Sequence, residues 1–393
     1  MELKQGYKQA DVGVIPDDWD VKTLGDIFEI TSSKRVFQSD WKSRGIPFYR
    51  ARELAVLGET GSVENDLFIT EELYENFKRA YGVPAAGDML VTGVGTLGKT
   101  YVVAPNHEFY FKDGNIIWFK IGEKFSAELL RQLYLTPLVI KQIEEGSAGT
   151  TVGTYTITAA KRTQIPVPPL CEQSSIATAL SDVDALLSGL DKLIAKKRDL
   201  KQGGMQQLLT GKTRLPGFVG EWEIRRLKDI APLQRGFDLP TSTLQRGEYP
   251  VVYSNGILNY HAEYQVEGPG VVTGRSGTIG SVTYVEGRYW PHNTALWVTN
   301  FKGNSPRFVY CLYKFIGLDR FATGSGVPTL NRNDVHAFEI GVPPTMEEQS
   351  AIADVLSDMD AELAVLEAQR EKTRLLKQGM MQELLTGKTR LVS

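Results

Sequence analysis

The chain states nearly the same sequence twice, and that duplication constrains its fold more than any other feature of its 393 residues. Residues 171–215 read CEQSSIATALSDVDALLSGLDKLIAKKRDLKQGGMQQLLTGKTRL, and residues 347–391 return as EEQSAIADVLSDMDAELAVLEAQREKTRLLKQGMMQELLTGKTRL. A shift of 176 positions superposes Gln173 on Gln349, Ile176 on Ile352, Leu180-Ser181-Asp182 on Leu356-Ser357-Asp358, and Leu208 to Leu215 on Leu384 to Leu391. A weaker echo opens each half, where Trp19-Asp20-Val21, Leu24 and Asp26-Ile27 are matched by Trp222-Glu223-Ile224, Leu227 and Asp229-Ile230. That echo has an offset of 203, so the material between echo and repeat is 203 − 176 = 27 residues longer in the first half. Solenoid units repeat every ~20–50 residues. The longer period here marks a duplicated module whose ends are alike and whose middle differs.

Each repeated segment reads as a long helix. In the first, Ile176, Leu180, Val183, Leu187, Leu190 and Ile194 follow alternating steps of four and three; Ile352, Leu356, Met359, Leu363 and Leu366 do the same in the second. This is the seam of a coiled coil rather than the broader stripe of a globular surface helix. Proline pairs at 168–169 and 343–344 stand just before the helices, and Gly211 and Gly387 lie where a C-terminal cap is expected. From Cys171 to Leu209 a straight helix would span roughly 58 Å at about 1.5 Å per residue. Two like helices bury their seams most simply against each other, and an approximate twofold makes the pair antiparallel, with the intervening domains at opposite ends. The alternative is that the seams serve an oligomer contact or a partner's helices.

The stretches between the helices mix short strands and helices. Pro47–Tyr49, Asp88–Thr92, Tyr101–Val103 and Ile116–Phe119 read as strands, with Glu71–Phe77 and Ser126–Tyr134 as helices. Tyr249–Tyr253, Gly270–Thr273, Val282–Val285 and Ala295–Val298, then a helix over Pro306–Tyr313, repeat that order. The expected fold class is α+β: two similar small α+β domains separated by two long helices forming an antiparallel coiled coil, with a pseudo-twofold repeat. The boundaries drawn are 1–166 for the first domain, 167–213 for its helix, 214–341 for the second domain and 342–393 for its helix.

Composition narrows the function. Only Cys171 and Cys311 are present, without C-x-x-C spacing or a His cluster, which argues against a disulfide framework or structural zinc. No signal-peptide core or apolar run of spanning length is seen, so a cytoplasmic protein without a membrane partner is expected. A net charge of −3 does not advertise nucleic-acid binding, so any DNA contact needs local basic faces or a partner's help. The run Gly93-Val94-Gly95-Thr96-Leu97-Gly98-Lys99-Thr100 satisfies the P-loop pattern, but Tyr101-Val102-Val103 reads as a strand where a P-loop needs a helix. Its counterpart from Gly274 to Ser281 has no lysine after the last glycine. A duplicated glycine turn between strands is the better reading; it is compatible with a structural hairpin and with a DNA-contacting one.

The Pro-Pro-x-x-Glu-Gln helix starts, the tandem Lys-Gln-Gly-x-Met-Gln-x-Leu-Leu-Thr-Gly-Lys-Thr-Arg-Leu ends, the opening Val12-Gly13-Val14-Ile15-Pro16-Asp17-Asp18-Trp19, the glycine turns and the Gly324-Ser325-Gly326-Val327-Pro328-Thr329-Leu330 approach resemble the specificity subunit of type I restriction–modification systems over essentially the whole chain. Thr150-Thr151-Val152-Gly153-Thr154 departs from the pattern by lacking the proline of its counterpart. The resemblance implies two target recognition domains that each read one half of a bipartite, asymmetric DNA sequence, and helices that set the unread gap between them. It implies a non-catalytic subunit that assembles on double-stranded DNA with two copies of an adenine-N6 modification (methyltransferase) subunit and with a restriction subunit. S-adenosylmethionine and ATP are then expected on those partners, and no metal or catalytic residue in this chain. A helical scaffold that bridges only protein partners is the competing reading. Candidate DNA contacts are Tyr49, Arg50, Arg52 and Lys99 in the first domain and Tyr253, Asn255, Arg275 and Asn293 in the second. Aligning Pro47 with Pro250 sets Arg50 opposite Tyr253 and Arg52 opposite Asn255, so different polar groups stand at corresponding sites. Arg suits guanine and Asn suits adenine in the major groove.

Overall fold

Two helices of 39 residues, Leu170–Leu208 and Met346–Leu384, carry the repeated sequence in a computed structural model that describes residues 5–147, 153–324 and 328–391. The chain divides into two compact units, Met1–Gly189 with Arg370–Ser393, and Leu190–Gln369, so each unit takes part of each long helix. In the first unit the start of one helix runs antiparallel to the end of the other: Asp184 Oδ1 pairs with Lys377 Nζ at 2.6 Å, and Glu172 with Arg390 just beyond the helix. The second unit repeats this with Asp360 on Lys201 and Glu348 on Arg214. Both pairs of pairs are related by the 176-residue shift of the sequence repeat.

Ile176, Leu180, Leu190, Ile194, Ile352, Leu356 and Leu363 are buried, and Val183, Leu187, Met359 and Leu366 are half-buried, so the seam residues face inward along both helices. They do not pack only on one another. Ile176 and Leu180 join Leu384 and Leu385 in the first unit's core beside Trp19, Leu129 and Leu133; Ile352 and Leu356 join Leu208 and Leu209 beside Phe308 and Leu312 in the second. Where the seam runs out of apolar residues, Lys197 and Lys201 pair with Glu362 and Asp360 across the helices. Snorkelling lysine stems cover apolar surface while their charges find carboxylates.

The parts between the long helices share one topology. In the first unit a four-stranded antiparallel sheet has the order Glu29–Thr31, Ile116–Lys120, Met89–Thr92, Thr100–Val102; the second repeats it as Leu233–Arg235, Ala295–Val298, Gly270–Gly274, Val282–Val285. A second small sheet contains a parallel pair in each, Phe48 beside Tyr110 and Val251 beside Trp290. Strands at the two ends of each domain close on each other, Asp20–Thr23 on Gln164–Val167 and Glu223–Arg226 on Glu339–Val342, which brings each Trp-containing opening beside the helix start. The extra length of the first half lies mostly between these sheets: Phe48 to Thr92 is 92 − 48 = 44 positions, whereas Val251 to Thr273 is 273 − 251 = 22. Helices Ala51–Thr60 and Glu71–Tyr81 fill it in the first unit, and the strand Gly256–His261 follows directly in the second.

The repeated polar residues join helix to domain. Glu172 is fully buried; it accepts hydrogen bonds from Trp19 Nε1 at 2.9 Å and from Arg390 Nε and Nη2 at 2.7 and 2.8 Å. Gln173 accepts from the Ser126 amide at 3.0 Å and donates to the Pro168 carbonyl at 2.9 Å. Trp222 and Arg214 on Glu348, and Ser305 and Pro343 on Gln349, repeat these bonds. Gly387 has φ +69° and a Cβ there would lie 2.5 Å from the Pro16 ring; Gly211, at φ +69°, abuts Trp222. Both glycines sit in the turn just past the helices, which end two residues before the Thr-Gly pairs. Removing one partner of a buried ion pair leaves the other's charge unmatched. Arg390 retains Asp18 when Glu172 is lost, whereas Arg214 retains only the carbonyls of Val219 and Gly220 among the described residues. Glu348→Ala is therefore expected to cost more than Glu172→Ala, up to about 3 kcal/mol, read as the shift in urea unfolding of the two variants; equal costs would contradict this reading.

Candidate nucleic-acid interface

The parallel strand pair positions equivalent side chains in the two units. Because Phe48 and Val251 occupy the same register, Arg50 and Tyr253 emerge at the same point. The amide of the residue after the partner strand bonds the same carbonyl in both: Lys112 N to Tyr49 O at 2.9 Å and His292 N to Val252 O at 2.9 Å. Asp113 and Asn293 follow. One backbone arrangement thus presents Arg50, Lys112 and Asp113 in the first unit and Tyr253, His292 and Asn293 in the second.

In the second unit three of the four candidates come together. The Tyr253 ring lies 4.3 Å from the His292 ring, Arg275 Nη1 donates to the Asn293 carbonyl at 3.2 Å, and Asn293 Nδ2 donates to Asp238, which also receives Arg235. The Asn293 amide, more than Arg235, holds the Asp238 carboxyl below the usual range, and burial pushes the His292 imidazole below its ordinary range. Asn255 is exposed in the two-residue Ser254-Asn255 turn that joins Tyr253 to its partner Gly256, and Gly256 has φ +106°, a conformation that favours glycine. The glycine turn lies against it: a Cβ on Gly274 would come 2.7 Å from the Ser254 carbonyl.

The first unit does not gather its candidates in this way. Tyr49 is buried, its hydroxyl 3.1 Å from His107 Nε2 and its ring packed on Phe109, so it serves the core as placed. Arg50 is the N-cap residue of helix Ala51–Thr60, and its guanidinium grips Glu53 at 2.6 and 3.0 Å. Burial pushes the Glu53 carboxyl up, but the Arg50 and backbone hydrogen bonds outweigh this and hold it below the usual range. Arg52 is exposed in the first turn of that helix, not at a strand end. Lys99 pairs with Glu59 at 2.5 Å, near the opposite end of the same helix, so the candidates Tyr49, Arg50, Arg52 and Lys99 are not brought together. The correspondence of Arg52 with Asn255 holds in sequence only, because a helix begins where the second unit makes a hairpin. At the edge equivalent to the one that carries Asn293 in the second unit stands a pair that sequence reasoning missed, Arg35 Nε on Asp113 Oδ2 at 3.1 Å.

The P-loop-like run is a hairpin turn. It joins antiparallel strands Met89–Thr92 and Thr100–Val102, and its counterpart joins Gly270–Gly274 to Val282–Val285; no helix follows either. Each turn is backed by the loop before a short helix: Val94 bridges Thr154, and Ser276 bridges Thr329. Those flanks are equivalent, while Thr150, Thr151, Val152, Ser325, Gly326 and Val327 lie outside the described residues. Among the described residues no group of three or more His, Cys, Asp or Glu could hold a metal, and no helix is long and apolar enough to cross a membrane.

The comparisons agree with this architecture. A family model described as "Type I restriction modification DNA specificity domain" matches twice, over residues 16–197 and 220–375. The chain is 24% identical over 425 residues to a protein named for the MjaX type I restriction enzyme specificity subunit of Methanocaldococcus jannaschii, covering 99% of this chain and 97% of that one. A specificity subunit of Haemophilus influenzae, S.HindORF215P, is 32% identical over 169 residues, 42% of this chain and 40% of its own. The crystal structure of a type I restriction–modification S subunit from M. genitalium aligns with a TM-score of 0.65 at 16% identity, covering 98% of both chains, which shows a shared fold.

A base-reading contact is worth about 1–3 kcal/mol of discrimination. Arg52→Ala and Asn255→Ala are each expected to relax selectivity for one half-site and leave the other unchanged, measured as binding of the assembled complex to duplexes altered in either half. Equal weakening on every duplex would make both residues phosphate contacts.

Proposed function

This chain belongs to the type I restriction–modification DNA specificity family, and from that premise we propose that it reads a bipartite, asymmetric DNA target and directs partner subunits to it. The carrying observation is the scaffold built twice with different polar groups at equivalent places: Arg50, Lys112 and Asp113 against Tyr253, His292 and Asn293. The shared sheets and parallel strand pair supply the docking geometry. Unlike side chains supply two different half-sites, because donor and acceptor patterns in the major groove distinguish all four base pairs.

Chemistry then belongs to the partners. Two adenine-N6 methyltransferase subunits dock on the long helices and bind S-adenosylmethionine, and a restriction subunit binds ATP, while this chain contributes no catalytic group. Partner subunits that enclose the duplex also account for specific binding by a chain of net charge −3, since they supply further phosphate contacts. The assembly works in the cytoplasm, where its DNA is.

The long helices fix the unread gap in this reading, and their length can be altered directly. Each unit grips the start of one helix and the end of the other, so both are lengthened: four residues inserted after Lys197 and four after its repeat position Thr373 add about 6 Å of rise and roughly 40° beyond a full turn to each helix. A four-residue stutter is tolerated by heptad packing. Both half-sites are expected to keep their sequences while the gap grows by about one or two base pairs at ~3.4 Å each, read from the spacing of target sequences that the assembled complex binds. A variant that folds, assembles and still demands the original gap would contradict the proposal.

A further inference from the structure

The strand Gly256–His261 is an edge strand of its sheet and carries no Lys, Arg, Asp, Glu or Pro. Exposed edges are ordinarily blunted by charge or proline. Here the opposite has been done: Ile257, Leu258 and Tyr260 are all exposed, Leu258 at 58%. The strand register shows how Leu258 comes to be there. Val251 pairs with Asn259 and Val252 with Ile257, so Leu258 is the extra residue of a bulge, and bulges re-aim side chains beside functional sites. Its neighbour Asn259 donates to the Tyr253 hydroxyl at 3.2 Å, which makes the apolar edge continuous with the polar cluster of Tyr253, His292, Asn293 and Arg275. Among the described residues the first unit has no such edge. Its equivalent strand Ile46–Tyr49 pairs instead with the two-residue strand Phe68–Ile69, and neither of those residues is exposed.

A two-stranded ribbon fits the major groove, where the C5 methyl of thymine is the one large apolar group that base edges present. Resting on the function proposed above, we propose that the hairpin Tyr249–His261 enters the major groove and that Leu258 packs against a thymine methyl in the second unit's half-site, making Leu258 a specificity-determining residue. Asn255 at the turn and Leu258 three positions along the ribbon are then about 10 Å apart at ~3.3 Å per residue. They address base pairs a few steps from each other, one by hydrogen bonds and one by apolar contact. The half-site read by the second unit must contain a T·A pair.

Deoxyuridine removes the methyl and changes nothing else on the base edge. The assembled complex is titrated with its target duplex in which each thymine of that half-site is replaced in turn by deoxyuridine. Wild-type binding is expected to weaken about fourfold at one position, the equivalent of one methyl group removed from apolar contact. Leu258→Ala should bind the thymine duplex about as weakly and be indifferent to deoxyuridine there, whereas Leu258→Met should retain the preference. The contact is overturned if no position responds, if the half-site has no T·A pair, or if Leu258→Ala still loses fourfold at the same position. A complex that selects no sequence at all would overturn the functional reading with it; one that selects sequence but ignores the methyl overturns only Leu258.

Discussion

Each half of this molecule hangs on a buried carboxylate at the start of a long helix. Glu172 and Glu348 each tie together three distant stretches of chain: their own helix, the tryptophan that opens the recognition domain, and the arginine that follows the end of the other helix. Buried charge is costly unless paired and hydrogen-bonded, so the tie forms only when all three are in place. That requirement explains why the sequence repeat is concentrated in Glu-Gln and in Thr-Gly-Lys-Thr-Arg-Leu. These residues specify how helix and domain meet, which both units need, while the strands between them are free to differ in what they present.

That division of labour is the physical basis of the functional reading. The four-stranded sheets, the parallel pair and the closing strand pair are the same in both units, and main-chain bonds at Lys112 and His292 hold the same register. What changes is the insertion after the parallel strand. In the first unit Arg50 turns into a helix and is consumed by Glu53; in the second the chain reverses through Ser254-Asn255 and leaves an exposed ribbon. The two surfaces therefore differ in shape as well as in polar groups.

Much of the architecture was legible in the sequence because its signals are local. Steps of four and three marked the seam, and every seam residue named from them is buried or half-buried. Short apolar runs located eight strands, four in each unit, to within a residue or so. Helix Ala51–Thr60 went unread although Leu54, Leu57 and Val56 carry a helical pattern; Gly58 obscured it, and its reason is tertiary, since a Cβ there would lie 2.1 Å from the Thr100 carbonyl. The strand Gly256–His261 has no buried face to give a period of two, and its one clear signal was the Asn-Gly pair at its start. The first unit's candidates failed to gather for a related reason: Glu53 and Glu59 lie on that unread helix and draw Arg50 and Lys99 to its two ends.

One scaffold, built twice, is proposed to read two different short sequences. Selection of random-sequence duplexes by the assembled complex tests it most directly. Retained duplexes are expected to share two specified segments of unlike sequence, separated by a gap of constant length in which every base is tolerated. A single contiguous segment, two identical half-sites, or no enrichment at all would contradict it.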